Sequence, residues 1–152
     1  ADREAKSISE EITYARDVSD PEVLRKTLLS LSDQIAARLR HNEVHARTVH
    51  LKLRWRDFTT VTRQATLPQP TQLGEEIFRV VEHLWRATWR KGELVRLLGV
   101  GVTGLNDGQQ IGLFEEAERE ERLQLARTLD QLRAQYGKDV VKRASLTRNK
   151  KR

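Results

Sequence analysis

Thr48, His50, Lys52 and Arg54 alternate with Val49, Leu51, Leu53 and Trp55. At the period of two of an extended strand, the polar four share one face and the apolar four the other. The polar row sets hydroxyl, imidazole, ammonium and guanidinium groups about 7 Å apart along the chain. Such groups neutralise and hydrogen-bond the phosphates of a nucleic-acid backbone without reading its bases. An ordinary solvated antiparallel face also favours Thr and Lys, so the row alone leaves both readings open. The next extended segment offers Thr60, Thr62 and Gln64 as companions, and Arg63 if a bulge turns it over. The face has no aromatic pair of the kind that stacks single-stranded bases, which favours contact with a duplex backbone.

Other chemistry finds less support. His41 and His45 have the i, i+4 spacing of a metal pair, but they fall where a helix should be ending and no matching carboxylates follow. A solvated helix end is the simpler reading. There is no Cys, which removes disulfides, thiolate metal sites and thiol nucleophiles. No Ser-His-Asp set, glycine-rich phosphate loop or acidic metal cluster stands out, so this chain alone does not read as an enzyme. The sharpest local feature is Gln110-Ile111-Gly112-Leu113-Phe114, an amide followed by three apolar side chains inside a polar stretch. It can insert Ile111, Leu113 and Phe114 into a partner's pocket while Gln110 bonds at the rim, or it can fold back on the domain's own core.

The elements that must position these groups follow from periodicity. Lys6 to Ala15 alternates as a half-buried strand, with Ile8, Ile12 and Tyr14 on one side and Ser7, Ser9, Glu11 and Thr13 on the other. Asp17 to Pro21 supplies a cap and a first-turn proline. Val23, Leu24, Leu28, Leu31, Ile35 and Leu39 then mark an amphipathic helix from Glu22 to Arg40. Thr48 to Trp55, a turn at Arg56-Asp57, and Phe58 to Leu67 form a hairpin. Pro68 to Thr71 reads as a break. A second helix opens at Thr71-x-x-Gly74, with Leu73, Ile77, Val80, Val81, Leu84 and Trp85 as its buried stripe. Leu94 to Leu105 is the last strand, whose internal Gly99 and Gly101 suggest close approach by another backbone or a ligand.

The order strand, helix, strand, strand, helix, strand predicts an α+β fold, a four-stranded antiparallel sheet with two helices on one face (βαββαβ). A C-terminal helical extension follows, because Glu115 to Tyr136 is charge-dense with Leu125, Leu129, Leu132 and Tyr136 in register and Gly137 at its end. The expected divisions are residues 1–5 as a linker remnant, 6–105 as the domain, 106–114 as a linker carrying the pentapeptide, and 115–152 as the extension with a frayed end.

Charge and length agree with this division. The 152 residues carry a formal charge of +6. Residues 1–114 hold 17 basic and 15 acidic groups, and residues 115–152 hold 11 and 7, so most of the excess lies in the extension. A nucleic-acid site in the folded part must therefore come from charges gathered on one face. No apolar run approaches a membrane span and no export signal opens the chain, so no membrane partner is expected. The absence of Met suggests a trimmed start or a piece of something longer.

Together, Lys6-Ser7-Ile8, Arg47-Thr-Val-His-Leu-Lys-Leu-Arg54, Asp57-Phe-Thr-Thr-Val-Thr-Arg63, Thr66-Leu-Pro68 and Val95-Arg-Leu-Leu-Gly-Val100 closely resemble the little finger domain of Y-family translesion DNA polymerases of the DNA polymerase IV class. The stretch from Leu129 to Ser145 is similar to the C-terminal extension of many bacterial members. The resemblance implies a non-catalytic module that grips primer–template DNA in a sequence-independent way, in the bacterial cytoplasm at the nucleoid. Palm, fingers and thumb domains would precede Ala1 and hold the catalytic carboxylates with two Mg²⁺, leaving no cofactor in this fragment. It implies DNA contacts from Lys6, Ser7, Thr48, His50, Lys52, Arg54, Thr60, Thr62, Arg63, Gln64 and Arg96. Gln110, Ile111, Leu113 and Phe114 would dock on the β sliding clamp. Ser9 and Gly101 depart from the family, which usually has Gly and often a basic residue there. Glu11 would repel phosphate unless it faces a basic neighbour. The alternatives are a protein-interaction adaptor or an RNA-binding α/β domain without a polymerase.

Overall fold

The computed structural model describes residues 7–106 and 113–137. Lys6, Gln110 and Ile111 lie outside the described residues. The chain divides into two units, Ala1–Ile111 and Gly112–Arg152.

In the first unit the elements are β1 (Ser7–Val18), α1 (Pro21–His41), β2 (Ala46–Trp55), β3 (Thr60–Thr71), α2 (Gly74–Thr88) and β4 (Val95–Thr103). The sheet order is β1-β4-β2-β3, antiparallel throughout. The last strand thus inserts between the first strand and the hairpin. This is the expected α+β arrangement, with both helices packed on one side of four strands.

Alternation decides which side. Val49, Leu51 and Leu53 of β2 and Leu98, Val100 and Val102 of β4 are all buried, and they share one core with Leu24, Leu28, Leu31, Ile35 and Leu39 of α1 and Ile77, Phe78, Val81 and Trp85 of α2. Asp20 caps α1 by accepting the Glu22 N–H at 2.9 Å, and Pro21 occupies the first turn. Arg38, Arg40 and His41 sit in the last turn, where their charge suits the helix dipole. The buried Ser32 is satisfied by donating to Leu28 O at 2.8 Å. The stripe on α2 differs in detail from the periodicity reading. Phe78 is buried, while Val80 and Leu84 are half-buried. Val23, assigned to the α1 stripe, is 40% exposed.

α1 ends in a Schellman motif, in which Glu43 N–H donates to Arg40 O at 3.2 Å and Val44 N–H to Leu39 O at 3.1 Å. Glu43 occupies the left-handed position with φ 55. A side chain there is strained, and glycine is not. Glu43→Gly is therefore expected to stabilise the domain by roughly 0.5–1 kcal/mol, after allowing for the extra chain entropy of glycine. A urea midpoint that falls instead of rising would show that the Glu43 side chain has a compensating contact.

Two boundaries move. The break expected at Pro68 to Thr71 is absent, because β3 continues through both prolines to Thr71. This is possible because β3 is an edge strand and its pairing with β2 slips between Ala46↔Thr71 and Thr48↔Thr66, so the missing N–H groups cost no regular ladder bond. Phe58, expected in the strand, lies in the turn instead with φ 71. That turn is closed by Trp55 N–H donating to Thr59 O at 2.9 Å and by Thr59 N–H donating to Asp57 Oδ1 at 2.9 Å. The Thr59 N–H holds the Asp57 carboxyl below the usual carboxylate range.

α2 starts at Gly74, where a Cβ would drive into Asp33 of α1, whose Cα lies 3.3 Å away. Just before it, the Thr71 hydroxyl accepts the Leu73 N–H at 3.0 Å and donates to the Glu76 carboxylate. The second unit contains α3 (Leu113–Tyr136), which begins two residues before the expected Glu115 and so takes in the end of the pentapeptide. Gly137 closes it with φ 92, its N–H donating to Arg133 O at 2.9 Å. Among the described residues, no helix is long and apolar enough to cross a membrane.

Candidate nucleic-acid interface

The side of the sheet away from the helices carries four rows, each running across β1, β4, β2 and β3. Ser7, Thr103, Thr48 and Thr66 form the first, and Ser9, Gly101, His50 and Gln64 the second. Glu11, Gly99, Lys52 and Thr62 form the third, and Thr13, Leu97, Arg54 and Thr60 the fourth. Hydroxyls fill the first row, and the last two carry one cation each, Lys52 and Arg54. The β2–β3 register is unbroken from Thr48↔Thr66 to Arg54↔Thr60, so the alternation read from the sequence becomes a shared surface.

Neighbouring side chains hold one another in place. His50 Nε2 lies 2.7 Å from Thr103 Oγ1. Arg54 Nε donates to Thr60 Oγ1 at 2.9 Å, which leaves the rest of its guanidinium fork for another acceptor. Lys52 Nζ lies 3.2 Å from Glu11 Oε2, so Glu11 does face a basic neighbour. The central strands β2 and β4 commit their N–H groups to the ladder on both sides. Only the outward N–H groups of β1 and β3 remain for a ligand, fewer than the small hydroxyl side chains by themselves suggest.

Thr48, His50, Lys52, Arg54, Thr60, Thr62, Gln64 and Ser7 are therefore brought together on one face. Two candidates are not. Arg63 pairs with Leu51, on the opposite parity, because no bulge interrupts this part of β3. Its guanidinium instead donates to Thr62 O at 2.8 Å. Arg96 falls at the register slip between Arg54↔Leu97 and Trp55↔Val95, outside the four rows. Its guanidinium stacks 4.2 Å from the Phe58 ring centre and lies 3.7 Å from Asp17 Oδ2. It is occupied in holding the hairpin turn against the end of β1.

Ser9, Thr13, Thr66 and Thr103 also lie on this face, beyond the contacts that the resemblance implies. The alternation of β1 already placed Ser9 and Thr13 beside Ser7, and the same parity carried two residues further would have found Thr66 and Thr103. Leu97 was not foreseen on this face. It is 3% exposed, wedged in the row between Thr13 and Arg54.

Elsewhere there is less to use. His41 ends α1, whereas His45 pairs in a bridge with Asn106, so the two do not share a helix face. Among the described residues, no group of three His, Asp or Glu side chains could hold a metal ion. An open cavity of about 600 Å³ beside the hairpin turn is lined by Trp55, Arg56, Asp57, Arg90 and Glu93. Arg90 and Glu93 pair within it at 3.6 Å.

The first unit is thus a two-layer α+β domain that covers one sheet face with helices and presents hydroxyls and cations on the other. The chain belongs, over residues 5–113, to the impB/mucB/samB family C-terminal domain. It is 39% identical to the DNA polymerase IV of Desulfatibacillum aliphaticivorans over 146 residues, covering 93% of this chain and 37% of that protein. It is 30% identical to the DNA polymerase IV of Clostridium kluyveri over 159 residues, covering 98% of this chain and 40% of that one. The chain thus spans about two fifths of the length of these relatives. Among solved structures, its fold matches a chain from a complex of the beta-clamp processivity factor and the little finger domain of PolIV. The TM-score is 0.55 at 22% identity, over 70% of this chain and 96% of the other.

Proposed function

We propose that this chain is the DNA-gripping and clamp-docking module of a translesion DNA polymerase of the polymerase IV class. The four-row open face carries the reading. Its cations and hydroxyls are spaced along strands with no protruding recognition element, which suits phosphate contact without base readout. Such a grip tolerates a damaged template, because template choice is left to base pairing. The contacts come from Ser7, Thr48, His50, Lys52, Arg54, Thr60, Thr62 and Gln64, together with Lys6, which precedes Ser7 in the sequence. Arg63 and Arg96 serve the edge and the turn instead.

Gln110, Ile111, Leu113 and Phe114 form the clamp-binding segment. Docking there raises the effective concentration of a weak DNA-binding domain at the primer end. Nucleotidyl transfer and its Mg²⁺ belong to the palm of the parent polymerase. Among the described residues, no acidic cluster could hold a metal ion.

The test is to titrate the chain onto two primer–templates of unrelated sequence, with and without a β clamp loaded. Expected are equal affinities on both sequences that fall steeply with salt, and tighter binding when the clamp is present. Leu113→Ala with Phe114→Ala should remove the clamp's contribution, about tenfold, and leave clamp-free DNA binding intact. Sequence preference would overturn the backbone grip, and a double variant that still responds to the clamp would overturn the docking.

A further inference from the structure

The third row of the open face contains a carboxylate. Glu11 of β1 and Lys52 of β2 are not on neighbouring strands, since β4 runs between them. They meet because the residue between them is Gly99. A Cβ added at Gly99 would lie 3.2 Å from the Glu11 Cβ and 3.4 Å from the Lys52 Cβ, so any larger residue would fill the space over which the pair closes. The next row repeats the pattern with Gly101 between Ser9 and His50. β4 therefore forms the floor of a shallow trough, with Ser9 and Glu11 on one wall and His50 and Lys52 on the other. The 3.2 Å Glu11–Lys52 ion pair bridges it.

We propose that Glu11 is a built-in competitor for DNA phosphate on Lys52, which sets the affinity of this face below what its cations could deliver. The inference rests on the backbone-grip reading above. A carboxylate oxygen on an ammonium occupies the position that a phosphate oxygen would take, so DNA binding must exchange one anion for the other. Both side chains are about half exposed, at 40% for Lys52 and 52% for Glu11, so the exchange needs no unfolding and the pair is weak enough to break. Glu11 thereby acts as an affinity-setting residue, and Gly99 as the residue that gives it reach.

The test is a double-mutant cycle on the full chain with fluorescein-labelled primer–template, comparing wild type, Glu11→Gln, Lys52→Ala and the double variant. Glu11→Gln is expected to bind about two- to fivefold more tightly, the range of an exposed ion pair. The gain should vanish when Lys52 is already alanine. If Glu11→Gln tightens binding equally in the Lys52→Ala background, Glu11 acts by general repulsion and the competition model is wrong. An unchanged affinity in Glu11→Gln alone also overturns it, while leaving the backbone grip standing if Lys52→Ala still weakens binding. Absence of DNA binding by wild type would remove both readings together. Thermal melts by circular dichroism confirm that each variant is folded.

Discussion

Replacing Lys52 and Arg54 together with alanine is expected to weaken duplex binding by roughly ten- to a hundredfold near physiological salt, and by the same factor on unrelated sequences. Each cation that neutralises a phosphate contributes about 0.9 to the slope of log affinity against log salt, which near 0.1 M amounts to almost a decade per contact. Two contacts give the upper figure. The lower one allows for the Glu11 carboxylate, which already shares Lys52 and reduces what that side chain gains from DNA. The salt slope should become shallower by roughly 2 in the double variant, and that change is the more diagnostic readout. Both positions lie on the exposed side of β2, whose core contacts come from Val49, Leu51, Leu53 and Trp55, so folding should survive. Loss of binding on one sequence and not another would mean base readout, and an unchanged salt slope would place the phosphate contacts elsewhere.

The topology and the principal face were legible because β2 states them plainly. Its eight-residue alternation from Thr48 to Trp55 is long enough to assign a side to every residue, and the hairpin turn carries the same parity into β3. What was not legible turned on irregularities of pairing. Whether Arg63 shared the polar face depended on a bulge, and the only slip in β3 lies beyond Thr66, around the prolines. Arg96, named only through the family resemblance, sits where the pairing of β4 with β2 slips. A register slip has no reliable mark in a single sequence, because one extra residue changes every facing beyond it without changing composition.

The prolines show a second limit. Pro68 and Pro70 read as a strand terminator because in a central strand each would remove a ladder bond. Strand order is a tertiary property. Only after β4 is seen to insert between β1 and β2 does β3 become an edge, where proline is admissible. The glycines of β4 were noticed for the right reason, close approach, but what approaches was not foreseen. It is the side-chain walls of β1 and β2, which makes Gly99 part of the open face and not only of the fold.

Trp85→Ala is expected to cost about 3–5 kcal/mol, a large share of the roughly 5–15 kcal/mol that holds a domain together. Trp85 is 1% exposed and heads the fully buried side chains by volume. It packs 5.6 Å, centre to centre, from the Trp89 ring and anchors the last turns of α2 to the layer beneath. Truncation to Cβ loses the transfer energy of the indole and leaves a cavity that flanking β-sheet residues cannot collapse into without moving their strands. Trp85→Phe keeps a ring in the slot and should cost markedly less. Urea unfolding followed by far-ultraviolet circular dichroism measures both. A loss below about 1 kcal/mol for the alanine variant would mean that Trp85 is not a principal anchor of the core. The variant also separates fold from function. At low temperature, where the folded form of Trp85→Ala still dominates, its DNA affinity should equal that of wild type, because the indole lies beneath the sheet and every proposed contact lies above it. A reduced affinity in demonstrably folded protein would instead show that the spacing of the four rows depends on the packing of the opposite face.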